Sequence, residues 1–264
     1  MSVHSVGWSK RYRTIWISDV HLGTRDCKAD LLLQFLRQNN ADRIYLVGDI
    51  IDGWRIKNGR HWAQSHNDVM QFFLRSASLG TEIIYIPGNH DEMVRPYCDM
   101  RLGQIAVLNE AEHVTADGRR LLVIHGDQFD AVVRNAKWLS KIGDAAYILA
   151  LRLNRWIGWL QRQFGYRYWS ISAYLKQVVK DAVEYIGRYE ETLVAEARRR
   201  GFDGVICGHI HHAQIREIGG IVYYNDGDWV ESCTALVEHP DGRIEIVRWV
   251  EAGMNPATLV DAAA

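Results

Sequence analysis

The stretch Ile86-Pro87-Gly88-Asn89-His90-Asp91-Glu92 follows the apolar run Glu82-Ile83-Ile84-Tyr85, turns through Pro and Gly, and then presents an amide, an imidazole and two carboxylates in succession. A run rich in β-branched and aromatic residues that stops at a Gly turn reads as a buried strand. Polar groups at the tip of such a strand stand where α/β folds place their sites. Four other apolar runs end in the same way. Arg13-Thr14-Ile15-Trp16-Ile17 leads into Ser18-Asp19-Val20-His21, and Arg43-Ile44-Tyr45-Leu46-Val47 leads into Gly48-Asp49-Ile50-Ile51-Asp52. Further on, Arg120-Leu121-Leu122-Val123-Ile124 leads into His125-Gly126-Asp127, and Gly204-Val205-Ile206-Cys207 leads into Gly208-His209-Ile210-His211.

Helical periodicity fills the intervals at 28–39 and 63–78. The first three strands therefore follow a β-α-β-α-β order, which implies parallel pairing with right-handed crossovers. From about 105 the pattern changes to short alternating runs with hairpin signals at Asp117-Gly118, Gly219-Gly220 and Pro240-Asp241-Gly242. Residues 131–200 read as mostly helical, without strand signals, so the expected organisation is a core of 1–130 and 201–264 interrupted by a helical insertion of 131–200.

With 264 residues, 48% hydrophobic and 24% charged, the chain can bury a large core. Its net charge of −1 gives no global pull toward nucleic acid or membrane. Cys27, Cys98, Cys207 and Cys233 are far apart and form no C-x-x-C pair, which argues for packed thiols rather than a zinc knuckle or disulfide framework. No apolar run reaches the ~18 residues of a membrane span, and the first residues carry no signal-peptide core, so a cytoplasmic location is expected.

The five tips carry Asp19 with His21, Asp49, Asn89 with His90 and Asp91, His125, and His209 with His211. Carboxylate, imidazole and amide donors without a thiolate are the mixture that borderline divalent metals accept. Alternation along a strand exit lets Asp-x-His, and likewise His-x-His, aim two groups the same way. Two neighbouring ions need a shared ligand, and the lone Asp49 suits that role. A single Asp at a strand end is an ordinary turn residue; five such tips in one chain call for another explanation.

Together, Asp-x-His, Gly-Asp-x-x-Asp, Gly-Asn-His-Asp, His-Gly-Asp and Gly-His-x-His, running from Asp19 to His211, resemble the signature of calcineurin-like metallophosphoesterases. The resemblance implies an α/β fold, a four-layer α/β/β/α sandwich of two mixed sheets. It implies one metal on Asp19, His21, Asp49 and His211 and a second on Asp49, Asn89, His125 and His209, with Mn²⁺ favoured and Fe or Zn as alternatives. It further implies His90, held by Asp91 through its other ring nitrogen, as the group that stabilises the transition state and protonates the leaving oxygen. His4, His61, His66, His113, His212 and His239 match no family position and read as packing or surface residues.

Between Arg134 and Lys180 nine basic residues stand against one acid, Asp144, a local charge of +8 in a chain of −1. On a 3.6-residue period Leu149, Leu153, Trp156, Leu160 and Phe164 form one stripe, with Arg152, Arg155 and Arg162 beside it. An apolar face with cationic flanks is the pattern of an interfacial helix. A second helix is expected over about 170 to 199. This helical hairpin leaves the core after His125 and returns before His209, so it is expected to act as a lid over the metals. Arg152, Arg155, Trp156 and Leu160 are the expected substrate contacts, and the 134–180 helices the expected peripheral contact with the cytoplasmic face of the inner membrane.

Strand order, chain length and the insertion are similar to those of UDP-2,3-diacylglucosamine hydrolases. The similarity implies cleavage of a lipid-linked nucleotide to UMP and 2,3-diacylglucosamine 1-phosphate, a step of lipid A biosynthesis. Those enzymes carry Arg where this chain has His90. A phosphate leaving group gains from a fixed charge, whereas an alkoxide needs a proton. A phosphodiesterase or phosphomonoesterase acting on nucleotides or other small phosphoesters therefore stays open. The apolar stripe and the absence of global basicity disfavour nucleic acid.

Overall fold

A computed structural model describes residues 10–59, 61–132 and 171–249. The chain divides into two compact units, Met1–Asp127 with Leu193–Ala264, and Gln128–Thr192. The first helix expected in the insertion, with Arg152, Arg155, Trp156 and Leu160, lies outside the described residues. The second runs from Ile171 to Arg199 as a 29-residue helix, and its last turns, from Leu193, belong to the first unit.

The first unit is built on three parallel strands, β1 (Lys10–Ile17), β2 (Asn39–Val47) and β3 (Glu82–Ile86). Helices α1 (Ala29–Gln38), α2 (Gly53–Asn58) and α3 (Gln64–Ser78) occupy the crossovers. In α1 the apolar Leu32, Leu33, Phe35 and Leu36 fall on one face and are buried. They pack with Val69, Phe73 and Ala77 of α3 against Ile15, Ile17, Ile44 and Ile83 of the strands. Short strands β4 (Arg101–Leu102) and β5 (Ile105–Val107) extend this sheet on one side. On the other side β1 pairs antiparallel with β11 (Thr234–Glu238), which pairs with β12 (Ile244–Arg248). The result is a seven-stranded mixed sheet ordered β12-β11-β1-β2-β3-β5-β4.

A second mixed sheet, ordered β6-β7-β8-β10-β9, comprises β6 (Ala111–Val114), β7 (Arg120–Val123), β8 (Gly204–Cys207), β9 (Gln214–Ile218) and β10 (Ile221–Asn225). The strands β7, β8 and β10 are mutually parallel. Trp16, Tyr45, Val47, Ile84 and Ile86 of the first sheet meet Leu121, Val123, Ile206 and Tyr224 of the second in a shared core. This is the α/β fold of two mixed sheets that the family resemblance implied. β11 and the second half of β2, buried on both faces, lack the alternation that marks a half-exposed strand.

At the start of β1 the sheets are joined by buried polar groups rather than by apolar packing. His113 of β6 lies edge-on to Trp16 and directs Nε2 at Glu238 Oε2 of β11, 2.9 Å away. Arg13, Thr14 and the Ala116 N–H also donate to that carboxylate. Burial holds the His113 imidazole below its usual range, against the pull of Glu238. Burial raises Glu238, but the His113 and Ala116 hydrogen bonds outweigh it and the net shift is downward. Neutral His113 thus donates to an ionised Glu238. A histidine with a depressed folded pKa contributes full stability above its unfolded pKa of ~6.5 and loses that contribution as pH falls below it. His113→Gln should lower stability at pH 7.5 by about 1.5–3 kcal/mol and reduce the loss of melting temperature between pH 7.5 and 5.5. Denaturation at the two pH values checks this, and an unchanged pH slope would contradict it.

Candidate metal centre

All five polar tips converge at the carboxyl ends of β1, β2, β3, β7 and β8. Backbone hydrogen bonds lace them together. The Asp19 N–H donates to Gly48 O at 3.0 Å, the His21 N–H to Asp49 O at 2.9 Å, and the Gly53 N–H to His90 O at 2.9 Å. The Gly208 N–H donates to His125 O at 3.3 Å, and the His209 N–H closes the ring on Asp19 Oδ2 at 2.8 Å.

Asp49 stands at the middle. Its Oδ1 accepts the His90 N–H at 2.8 Å. Its Oδ2 lies 3.5 Å from His125 Nε2, 3.9 Å from His90 Nε2 and 4.0 Å from His21 Nε2. Asp19 Oδ1 lies 3.1 Å from His211 Nε2 and 3.9 Å from His21 Nε2. Three groups could each hold a cation: Asp19, His21 and His211; His21, Asp49 and His90; and Asp49, His125 and His209.

The donor set fits a cationic group by three observations. Asn89 Oδ1 is buried and accepts no hydrogen bond among the described residues, a condition buried amide oxygens seldom show. His125 Nδ1 is 2.8 Å from Val47 O, so it carries the hydrogen and Nε2 is presented to Asp49. The charges also point one way. Burial raises the carboxyl of Asp19, but His211, His125 and His21 outweigh it and hold Asp19 well below the usual range. Against burial, His125 does the same for Asp49. Conversely, Asp49 overcomes burial to push His125 up to about 10, and Asp19 pushes His211 up to about 9. Such carboxylates retain positive charge beside them, whether as protons or as a metal ion.

Backbone geometry is strained at the same positions. Among the described residues, seven non-glycine residues have positive φ, and five of them are Asp19, His21, Asp49, His209 and His211. The left-handed conformation costs an L-residue roughly 1–2 kcal/mol, a cost the surrounding hydrogen bonds must offset. Three glycines leave room for the donors. A Cβ on Gly48 would meet the His125 ring at 2.3 Å, one on Gly88 would meet Asp49 Oδ1 at 2.3 Å, and one on Gly208 would meet Ser18 Oγ at 2.3 Å.

The model of one known family matches residues 12–213, under the description calcineurin-like phosphoesterase. The chain belongs to the calcineurin-like phosphoesterase family. It is a metal-dependent phosphoesterase, and its Asp and His clusters fit the dinuclear metal centre of that family. It is similar to UDP-2,3-diacylglucosamine hydrolase of Xanthomonas campestris pv. campestris, with 27% identity over 87% of this chain and 96% of that protein. It is also similar to the DNA polymerase II small subunit of Methanothermobacter thermautotrophicus, with 28% identity over 49% of this chain; the match spans 33% of that protein's length. A solved archaeal phosphodiesterase is 11% identical, with a TM-score of 0.41 covering 89% of this chain and 98% of that one.

Two features of the phosphoesterase site depart from the sequence reading. Asp91 is not the partner of His90. Its buried carboxylate accepts from Gly88 N at 2.5 Å, Ile50 N at 2.9 Å, Asp49 N at 3.3 Å and the Tyr85 hydroxyl, so it organises the two turns from beneath. The partner is Asp52, whose Oδ2 lies 3.0 Å from His90 Nδ1 and 3.4 Å from His21 Nδ1 while Oδ1 caps α2 through the Arg55 N–H. Burial raises Asp52, but His21 and His90 outweigh it and keep it well below the usual range. The signal was present as the second Asp of Gly-Asp-x-x-Asp, three residues after Asp49. The reversal arises because the chain turns away after His90, sending Asp91 inward.

The second departure is a set of residues that carried no signature. Trp54 sets its ring 4.2 Å from that of His90, and Ser18 and Asp226 lie behind Asp19. Of the other histidines, His66 Nδ1 accepts the Gly23 N–H, His239 pairs with Glu245 and His212 is exposed, while His4 lies outside the described residues. All four cysteines are free thiols. No helix of the described residues is long and apolar enough to cross a membrane.

The tight fit of Gly88 yields a test. Gly88→Ala should weaken Mn²⁺ binding about 10–100-fold by displacing Asp49. Gly59→Ala, whose Cβ meets nothing nearer than 3.8 Å, should leave binding unchanged. Titration calorimetry reads both, and equal affinities would mean that the turn has room to adjust.

Proposed function

We propose that this phosphoesterase cleaves the pyrophosphate of UDP-2,3-diacylglucosamine to UMP and 2,3-diacylglucosamine 1-phosphate. Asp19, His21, Asp49 and His211 hold one divalent ion, and Asp49, Asn89, His125 and His209 the other, with Mn²⁺ the favoured metal. The position of Asp49 Oδ2, within 4.0 Å of imidazoles from both sets, is the observation that supports Asp49 as a residue that would serve both ions. Similarity to a hydrolase of that name over nearly the whole length of both proteins supports the substrate. The apolar stripe and cationic flanks in the sequence of 134–180 support an acylated, anionic ligand and a peripheral contact with a membrane surface.

Two bound cations would supply an activated water and neutralise the phosphoryl oxygens of an in-line displacement. The chain's own contribution centres on His90. Asp52 fixes its Nδ1 and leaves Nε2 on the side of Asp49. The side chain is 24% exposed, so Nε2 can reach an incoming substrate. A proton carried there passes to the oxygen that departs, and Asp52 stabilises the charged ring. Asp91, Tyr85 and the backbone of the Gly88 turn keep Asn89 and His90 in register with Asp49.

His90 also supports a second reading, hydrolysis of a phosphodiester or phosphomonoester. A proton donor serves an alkoxide or phenoxide leaving group best. A Mn²⁺-dependent assay with ³¹P detection, comparing UDP-2,3-diacylglucosamine with an aryl phosphodiester, separates the two. Release of UMP from the lipid alone is the expected result, and cleavage of the diester alone would overturn the lipid substrate. His90→Ala should lower kcat by about 10²–10⁴-fold with the metal content retained. Parallel loss of metal and turnover would make His90 a ligand.

A further inference from the structure

Behind the candidate ligand Asp19, one hydroxyl lies between two carboxyl groups. Ser18 Oγ is 2.5 Å from Asp19 Oδ2 and 2.6 Å from Asp226 Oδ1, with Gly227 O at 3.2 Å. A hydroxyl carries a single proton, and short hydrogen bonds to two carboxyl groups require two. The second proton must reside on one of the acids. Asp19 does not hold it, because its Oδ2 also accepts the His209 N–H at 2.8 Å and its Oδ1 faces His211 Nε2 at 3.1 Å, surroundings that favour the anion. Asp226 is fully buried, and its Oδ2 accepts no hydrogen bond among the described residues. Burial, reinforced by the charge of Asp19, keeps its carboxyl well above the usual range despite the Ser18 hydrogen bond.

We propose that Asp226 is a positioning residue, a protonated carboxylic acid that donates to Ser18 Oγ while Ser18 donates to Asp19 Oδ2, turning Asp19 Oδ1 toward His21 and His211. The inference rests on the reading of Asp19 as a metal ligand. A neutral relay orients that ligand without placing a third negative charge behind Asp19 and Asp49. The chain builds the relay rigidly. The Asp226 N–H donates to Cys207 O at 3.2 Å, and the Asp226 carbonyl accepts Thr234 Oγ1 at 2.7 Å. Gly208 leaves the space, since a Cβ there would stand 2.3 Å from Ser18 Oγ and 2.5 Å from Asp19 Oδ2.

Infrared spectroscopy of the metal-free protein and Mn²⁺ titration of the wild type, Asp226→Asn, Asp226→Ala and Ser18→Ala test the relay. The wild type should show the C=O band of a protonated carboxylic acid that Asp226→Asn removes. The Asn amide can still donate to Ser18, so Asp226→Asn should keep Mn²⁺ affinity within about threefold, while Asp226→Ala and Ser18→Ala weaken it about 10–100-fold. Should Asp226→Ala not fold, Ser18→Ala carries the affinity comparison. Three results overturn the proposal: no acid band assignable to Asp226, equal losses in Asp226→Asn and Asp226→Ala, or wild-type affinity in Ser18→Ala. A wild type that shows the band but binds no Mn²⁺ overturns the metal reading of Asp19, and the positioning role with it. Binding without the band overturns the relay alone.

Discussion

One carboxylate oxygen, Asp49 Oδ2, stands within 4.0 Å of nitrogens from His21, His90 and His125, and the surrounding structure is what keeps it there. Burying it beside Asp19 is costly because two charges lose water and repel each other. His125, with a smaller contribution from His21, offsets that cost, and the other Asp49 oxygen is tied to the His90 N–H. The left-handed backbone at Asp49 and the close approach of Gly88 follow from the same requirement, since the carboxylate reaches the centre only if its own turn is tight and its neighbour has no side chain.

That requirement also explains how work is divided along Asn89-His90-Asp91. Successive side chains leave the turn in different directions. Asn89 buries its amide oxygen without a hydrogen-bond partner among the described residues, His90 faces Asp52 and the open side, and Asp91 points down to grip the backbone of Asp49 and Ile50. Asp52 and Asp91 both act on His90, but differently. One fixes its ring, and the other fixes the turn from which the ring projects.

The two ends of β1 show contrasting uses of buried charge. At its start, His113 and Glu238 join the sheets through a set of groups that satisfy one another. At its end the donors are gathered with their lone pairs facing inward, an arrangement that suits a cation and would be costly without positive charge between them. The apolar inter-sheet core of Trp16, Tyr45, Val47, Leu121, Val123 and Ile206 lies between the two ends.

Much of the site could be read in the chain itself. Each donor follows a strand marked by β-branched residues, and the crossovers between the first three strands force their tips to one edge. Local periodicity and spacing therefore determined the strands, the helices at 29–38 and 64–78, and the list of candidate ligands. Only the tertiary structure decided which carboxylate serves His90, because Asp52 and Asp91 are both close to it in the pattern and differ in the direction the chain takes beyond the turn. It alone joined Asp226 to Ser18 across 208 positions and placed β11 beside β1, since residues far apart in sequence leave no spacing to read. Sequence determines which groups are available at the strand tips. Three-dimensional packing decides which of them touch, because side-chain contacts across a closed fold depend on backbone direction at each tip and not on residue type.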